Sequence, residues 1–187
     1  MHTRGGLEAP DMQFIGGPAY FRDRGFATHD GAALALGCSL VGSRSTGVVR
    51  LASGDPLSKP AVRFDYFGDP DDMAAMITGI ERAREVVASS AMGGLVGGEI
   101  HPGPGTRTRT ELEQEIRRGV DHTYHPSCTA RIGSETDGVV DASLRVHGIA
   151  GLRVADASVL PTIPHGNTHA PTVMVGEKAS DLIRAGR

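Results

Sequence analysis

Gly151-Leu152-Arg153-Val154-Ala155-Asp156-Ala157-Ser158-Val159-Leu160-Pro161 is the stretch on which the fold turns. Residues 152–155 read as a short buried-type strand. From Asp156 the chain becomes polar and Pro-containing as far as Pro171. A helix is expected over 172–184, with Val175, Ala179, Leu182 and Ile183 turned inward. Just upstream, 138–141 and 144–147 read as two short strands around a turn. Strands grouped before a strand, a long loop and a closing helix make an α+β arrangement.

Further out, the clearest helix starts at Asp69. Asp69 is suited to the N-cap and Pro70 to the first helical position. Met73, Met76, Ile77, Ile80 and Val87 then recur on one face, a core-facing stripe, and Gly93-Gly94 is expected to end it. Thr110-Glu111-Leu112-Glu113 reads as a capping box that opens a second helix, closed by Gly119. Residues 46–53 and 60–65 alternate like strands. Residues 12–15 form a short strand candidate, broken at Gly16-Gly17-Pro18, and 21–37 read as loop. No internal repeat or low-complexity tract is visible.

The bulk properties narrow the function classes. A chain of 187 residues can bury a real core. Hydrophobic content of 39% against 22% charged residues marks a folded rather than disordered chain. A formal net charge of −3 supplies no basic field for nucleic acid. Two distant cysteines, Cys38 and Cys128, make no disulfide framework, so a reducing, cytoplasmic setting is expected. No apolar run is long enough to span a membrane, and Met1-His2-Thr3-Arg4-Gly5-Gly6 does not read as a signal peptide.

Two loops could carry chemistry. One holds His122 and His125 in Asp121-His122-Thr123-Tyr124-His125-Pro126-Ser127-Cys128-Thr129. The other holds His165 and His169 in Pro164-His165-Gly166-Asn167-Thr168-His169-Ala170-Pro171-Thr172. Four readings stand. The histidines could bind a metal, but no carboxylate sits at zinc-motif spacing and the prolines forbid a continuous zincin helix. Cys128 could pair with His125 or His122 as a nucleophile. The histidines could simply hydrogen-bond their loops. Or the loops could converge on a cofactor, with one histidine as a base. Spacing alone leaves all four open. The dinucleotide fingerprint is not among the residues given: Gly93-Gly94-Leu95-Val96-Gly97-Gly98 has the wrong spacing and follows a helix.

The last sixty residues resemble the C-terminal signature of the glucose–methanol–choline (GMC) oxidoreductases. The likeness rests on Tyr124-His125-Pro126-Ser127-Cys128-Thr129-Ala130-Arg131-Ile132-Gly133, Gly138-Val139-Val140-Asp141 and Leu144-Arg145-Val146-His147-Gly148. It continues through the opening stretch, Gly166-Asn167-Thr168-His169-Ala170-Pro171-Thr172 and Gly176-Glu177-Lys178-Ala179. Ser45-Thr46-Gly47-Val48-Val49-Arg50-Leu51, Asp55-Pro56 and the helix from Asp69 extend it over nearly the whole chain.

The resemblance implies an α+β fold with an antiparallel sheet and flanking helices. It implies a substrate-binding domain over 1–150, and a return segment over 151–187 whose strand and helix complete an FAD-binding domain. It implies FAD as cofactor, no metal, a small-molecule alcohol as substrate, and an N-terminal FAD-binding domain or chain as partner, with neither nucleic acid nor membrane. His125 would be the base and Asn167 its partner, nine residues before Gly176. Asp156 and Ala157 would approach the diphosphate and ribityl chain. The backbone around Thr168 and His169 would reach the flavin pyrimidine edge. Alcohol oxidation takes a proton from oxygen and a hydride from carbon to flavin N5. The cofactor does the hydride chemistry and the protein supplies the base. Because only the C-terminal part of the family is matched, the residues given are expected to be a fragment that binds FAD poorly by itself. The alternative is an inactive remnant or binding module that keeps the fold.

Overall fold

The computed structural model describes residues 1–186. The chain divides into two compact units, Met1–Thr46 with Asp65–His122, and Gly47–Phe64 with Thr123–Arg187.

In the first unit, β1 (Met12–Gly17) pairs antiparallel with β2 (Ala35–Leu40), in register from Met12 opposite Leu40 to Gly17 opposite Ala35. The local pattern puts the first strand at 12–15, broken at Gly16, and reads the first half of β2 as loop. Pairing with a partner some twenty residues away carries both glycines into the ladder, an override that local propensity does not contain. Helix α1 (Pro70–Val87) starts as expected, with the Asp69 side chain accepting from the Asp71 N–H. It stops at Val87, short of the glycine pair. Helix α2 (Arg109–Gly119) begins with a capping box built on Thr108, not Thr110: the Thr108 hydroxyl accepts from Glu111 N–H, and the Glu111 carboxylate accepts from Thr108 N–H at 2.9 Å. Thr110 begins a Thr-x-x-Glu pattern as well, but Arg109 is already helical, so Thr108 is the N-cap and Glu111 the third helical position.

Met73 and Ile77 of α1 pack on Leu112 and Ile116 of α2, with Met76 and Ile80 partly buried beside them. The expected stripe is thus the core face of this unit from Met73 to Ile80, whereas Val87 is half-buried outside this cluster. Gly79 lets α1 approach β1 and β2, since a Cβ there would lie 2.8 Å from the Met12 side chain. Asp72, 3% exposed, ties the preceding loop to the helix by accepting from Ser43 Oγ, Arg44 N–H and Ser45 N–H.

In the second unit, β3 (Val48–Arg50) and β4 (Ala61–Arg63) form a short antiparallel ribbon. Both strands are shorter than the alternation suggests. The expected antiparallel sheet is therefore two separate two-stranded sheets. The strands expected at 138–141, 144–147 and 152–155 reduce to isolated bridges, Ile132 with Val140, Val140 with Val146, and Arg145 with Arg153. Left-handed backbone at Leu144, Gly148 and Gly151 interrupts each run before a ladder can extend.

Helix α3 (His169–Arg184) starts three residues earlier than the apolar pattern indicates. Pro171 sits in its first turn, where a missing N–H costs nothing. Val175, Ala179 and Leu182 face inward, but Ile183 is 61% exposed, contrary to expectation. The three inward residues pack on Val140, Leu144 and Val159, with Ile132, Val146, Val154 and Leu160 around them. Gly133 and Gly138 touch backbone to backbone here: a Cβ on Gly138 would lie 2.5 Å from Gly133 Cα.

Candidate functional site

The core of the second unit fixes the loop that carries His125. Cys128 N–H donates to Ala157 O at 3.3 Å, Ala130 N–H to Ser158 O at 2.9 Å, and Ile132 N–H to Val159 O at 2.9 Å. These three bonds lace 128–132 onto the 3-10 turn Ala157–Val159. Val159 anchors that turn with no exposed surface at all. The Asp156 carboxylate caps the turn by accepting from Ser158 N–H at 2.8 Å. Tyr124 and Cys128 both adopt left-handed backbone, a costly conformation for non-glycine residues, and they bracket His125.

From the other side, α3 brings Thr168. Thr168 is the N-cap residue of α3 and is buried, 7% exposed. Its carbonyl accepts from Thr172 N–H at 2.9 Å and from Thr172 Oγ1 at 2.6 Å. Its hydroxyl does not cap the helix. It lies 3.0 Å from His125 Nδ1, and the Thr168 N–H points at the same nitrogen from 3.4 Å. The two loops singled out in the sequence therefore meet at His125 and Thr168.

Comparison with known proteins gives this meeting point a context. A family model described as GMC oxidoreductase matches residues 43–176, well over half of the chain. The chain belongs to the GMC oxidoreductase family. The matched region is the family's C-terminal domain, and it contains both His125 and Thr168. The chain is 40% identical over 185 residues to an oxygen-dependent choline dehydrogenase of Vibrio vulnificus, covering 98% of this chain and 33% of that protein. It is 40% identical over 192 residues to an uncharacterised GMC-type oxidoreductase of Mycobacterium tuberculosis, covering 99% of this chain and 36% of that protein. The chain thus spans about a third of the length of these curated relatives. Among solved structures, a variant of Aspergillus oryzae formate oxidase, solved for its effect on FAD modification, matches with a TM-score of 0.90 and 31% identity. That match covers 97% of this chain and 32% of the oxidase. A fungal aryl-alcohol oxidase matches with a TM-score of 0.74 and 30% identity over 95% of this chain and 28% of its own.

The remaining expected site residues of this GMC chain are spread around the meeting point. Asn167 is exposed and adjoins Thr168 in the chain; His169 is the exposed first residue of α3. Asp156 is exposed and Ala157 half-buried, both at the turn that receives the His125 loop. His165 is exposed in the loop leading to α3. His122 belongs to the first unit and His125 to the second. The Cys128 thiol donates to Ser127 Oγ at 3.3 Å. Among the described residues, no three His, Cys, Asp or Glu side chains gather as metal ligands. Sequence reading did not foresee the side-chain role of Thr168. The available signal was Pro171 three residues on, which deprives a capping threonine of one of its usual donors.

Proposed function

We propose that this chain is the substrate-side and base-bearing portion of an FAD-dependent oxidoreductase acting on CH–OH groups. The observation that carries the reading is the contact between His125 and Thr168, which joins the two segments of the family signature at one point.

The start of α3 suits a flavin. Its N-cap hydroxyl is turned away to His125, and exposed His169 and Ala170 open the helix. Amides at an uncapped helix start favour an electronegative edge, such as the carbonyls of a flavin pyrimidine ring. Bound FAD would supply the hydride acceptor.

The rest falls to this chain's own groups. His125 takes the hydroxyl proton of the alcohol, for which it needs a neutral ring with a lone pair on the nitrogen facing substrate. Asn167, adjoining the contact and exposed, donates a hydrogen bond to the oxygen as negative charge develops. Asp156 and Ala157, on the turn laced to the His125 loop, lie toward the diphosphate and ribityl chain. The residues over 1–150 serve the substrate and those over 151–187 return to the FAD-binding portion. The names of the relatives, choline dehydrogenase and aryl-alcohol oxidase, support an alcohol as substrate class.

The test is turnover of an alcohol panel by the FAD-loaded protein, combined with an FAD-binding chain where the residues given bind no flavin alone. His125→Ala should lower kcat by about 10²–10⁴-fold, the range for a positioned base, with flavin content unchanged. Full turnover by that variant would refute the base, and failure of every preparation to take up FAD would favour a non-catalytic module.

A further inference from the structure

We propose that the β3–β4 ribbon is a docking arm whose apolar face is covered by the FAD-binding portion of the enzyme. The inference rests on the reading of this chain as one portion of an FAD-dependent oxidoreductase, and it adds the surface through which the portions meet.

The ribbon is amphipathic by its register. Val49 stands opposite Val62, so the two share one face, and two-residue alternation adds Leu51 to it. Arg50 and Arg63 fall on the other face. An amphipathic ribbon ordinarily turns its apolar face inward. Here Val49 and Val62 are about half exposed, and Leu51 is 90% exposed. The core of this unit, built on Val140, Val159 and α3, does not include them.

The arm is held in shape by its own contacts. At its root Gly47 lets the strands close up, since a Cβ there would lie 2.2 Å from Arg63 O. At its tip Ser53 Oγ accepts from Asp55 N–H at 3.2 Å, and Asp55 accepts from Leu57 N–H at 3.0 Å and Ser58 N–H at 3.1 Å. This turn presents Leu57, also 90% exposed. A two-stranded ribbon is marginal in water by itself, and an open aliphatic face on an ordered one marks an interaction surface.

The family match, residues 43–176, takes in the whole ribbon, while the larger part of each relative lies outside the matched third. The ribbon also belongs to the compact unit that carries His125 and α3, which the functional reading joins to the FAD-binding portion. That portion is therefore the polypeptide set beside the arm. Its contact surface is aliphatic or aromatic and uncharged at its centre, because a charge there would lose water and find no partner on Val49, Leu51 or Val62.

The experiment is maleimide labelling of Leu51→Cys and Leu57→Cys, read by mass spectrometry against the parent, whose Cys38 and Cys128 set the background. The chain alone is compared with the FAD-loaded protein of the turnover test, FAD-binding chain included. Both positions should react as open thiols in the chain alone, and at least about tenfold more slowly in the FAD-loaded protein. Leu51→Asp combined with Leu57→Asp should leave the Tm of the chain alone nearly unchanged, because both positions are exposed and lie outside the strands. The same pair should raise the concentration of FAD-binding chain needed for half-maximal flavin loading by about tenfold or more. Equal labelling in the two preparations, or flavin loading indifferent to the aspartates, would overturn the proposal. So would slow labelling in the chain alone together with a dimer that Leu51→Asp disperses, which would assign the face to a second copy. If no preparation takes up FAD, the functional reading falls and this inference with it. If FAD is taken up and alcohol is turned over while the ribbon stays reactive, this inference alone falls.

Discussion

Replacing Asp72 by asparagine tests how the first unit holds the loop before β3. Asp72 is 3% exposed and sits in the first turn of α1, where a carboxylate is favoured by the helix dipole. Its two oxygens accept from Ser43 Oγ at 2.8 Å, Arg44 N–H at 2.9 Å and Ser45 N–H at 2.8 Å. Asparagine keeps the shape but turns one oxygen into a donor. In its better orientation the amide NH₂ takes the place of the oxygen 2.9 Å from Arg44 N–H, which keeps only its 3.2 Å contact to the remaining oxygen, at about 1–3 kcal/mol. The other two bonds lose charge assistance, worth together about 1–2 kcal/mol. The sum is about 2–4 kcal/mol, or a fall in Tm of roughly 5–15 °C for a chain of this size. Acid should erase the difference. Burial pushes the Asp72 carboxyl up, and the hydrogen bonds from Ser45, Arg44 and Ser43 outweigh it, so its pKa is lowered. A lowered folded-state pKa gives stability that is fully present above the unfolded value near 3.9 and lost as pH falls through the folded value. Thermal melts of parent and Asp72→Asn, followed by circular dichroism from pH 7 down to about pH 3, should therefore converge in acid. Equal Tm at pH 7, or a gap that persists undiminished in acid, would refute the reasoning.

Two further outcomes follow from packing and capping. Val159→Ala removes a side chain with no exposed surface from beneath the 3-10 turn that receives the His125 loop. It should cost about 2–3 kcal/mol, read as a lower urea midpoint at unchanged m. Thr108→Ala should cost about 1 kcal/mol by loss of the α2 cap, whereas Thr110→Ala, an exposed position inside the helix, should be near neutral. The reverse order in thermal melts would restore the capping box to Thr110.

The site follows from one coupling of local rules. Pro171 is tolerated because it lies in the first turn of α3, and the same proline removes a donor that Thr168 would otherwise cap. The freed hydroxyl is 3.0 Å from His125, whose loop is laced onto a turn packed against the same helix through Val159. Both partners of the contact are thus held by one core.

The amino-acid sequence by itself determined the helices, because their signals are local. Asp69 with Pro70 starts α1, a Thr-x-x-Glu box opens α2, and the spacing of Val175, Ala179 and Leu182 marks the buried face of α3. It also carried the ordered motifs, from Tyr124 to Ala179, that place the chain among the GMC oxidoreductases. The strands were legible only in part. β2 exists because β1 pairs with it, and the runs around Val140, Val146 and Arg153 shrink to bridges because Leu144, Gly148 and Gly151 turn the backbone left-handed. Tertiary structure alone decided which polar groups meet. No spacing rule brings residue 125 to residue 168; that distance is closed by packing of Val140, Val159 and α3, and only then does Thr168 acquire a partner. Secondary structure is dictated by neighbours in the chain, and the site by neighbours in space.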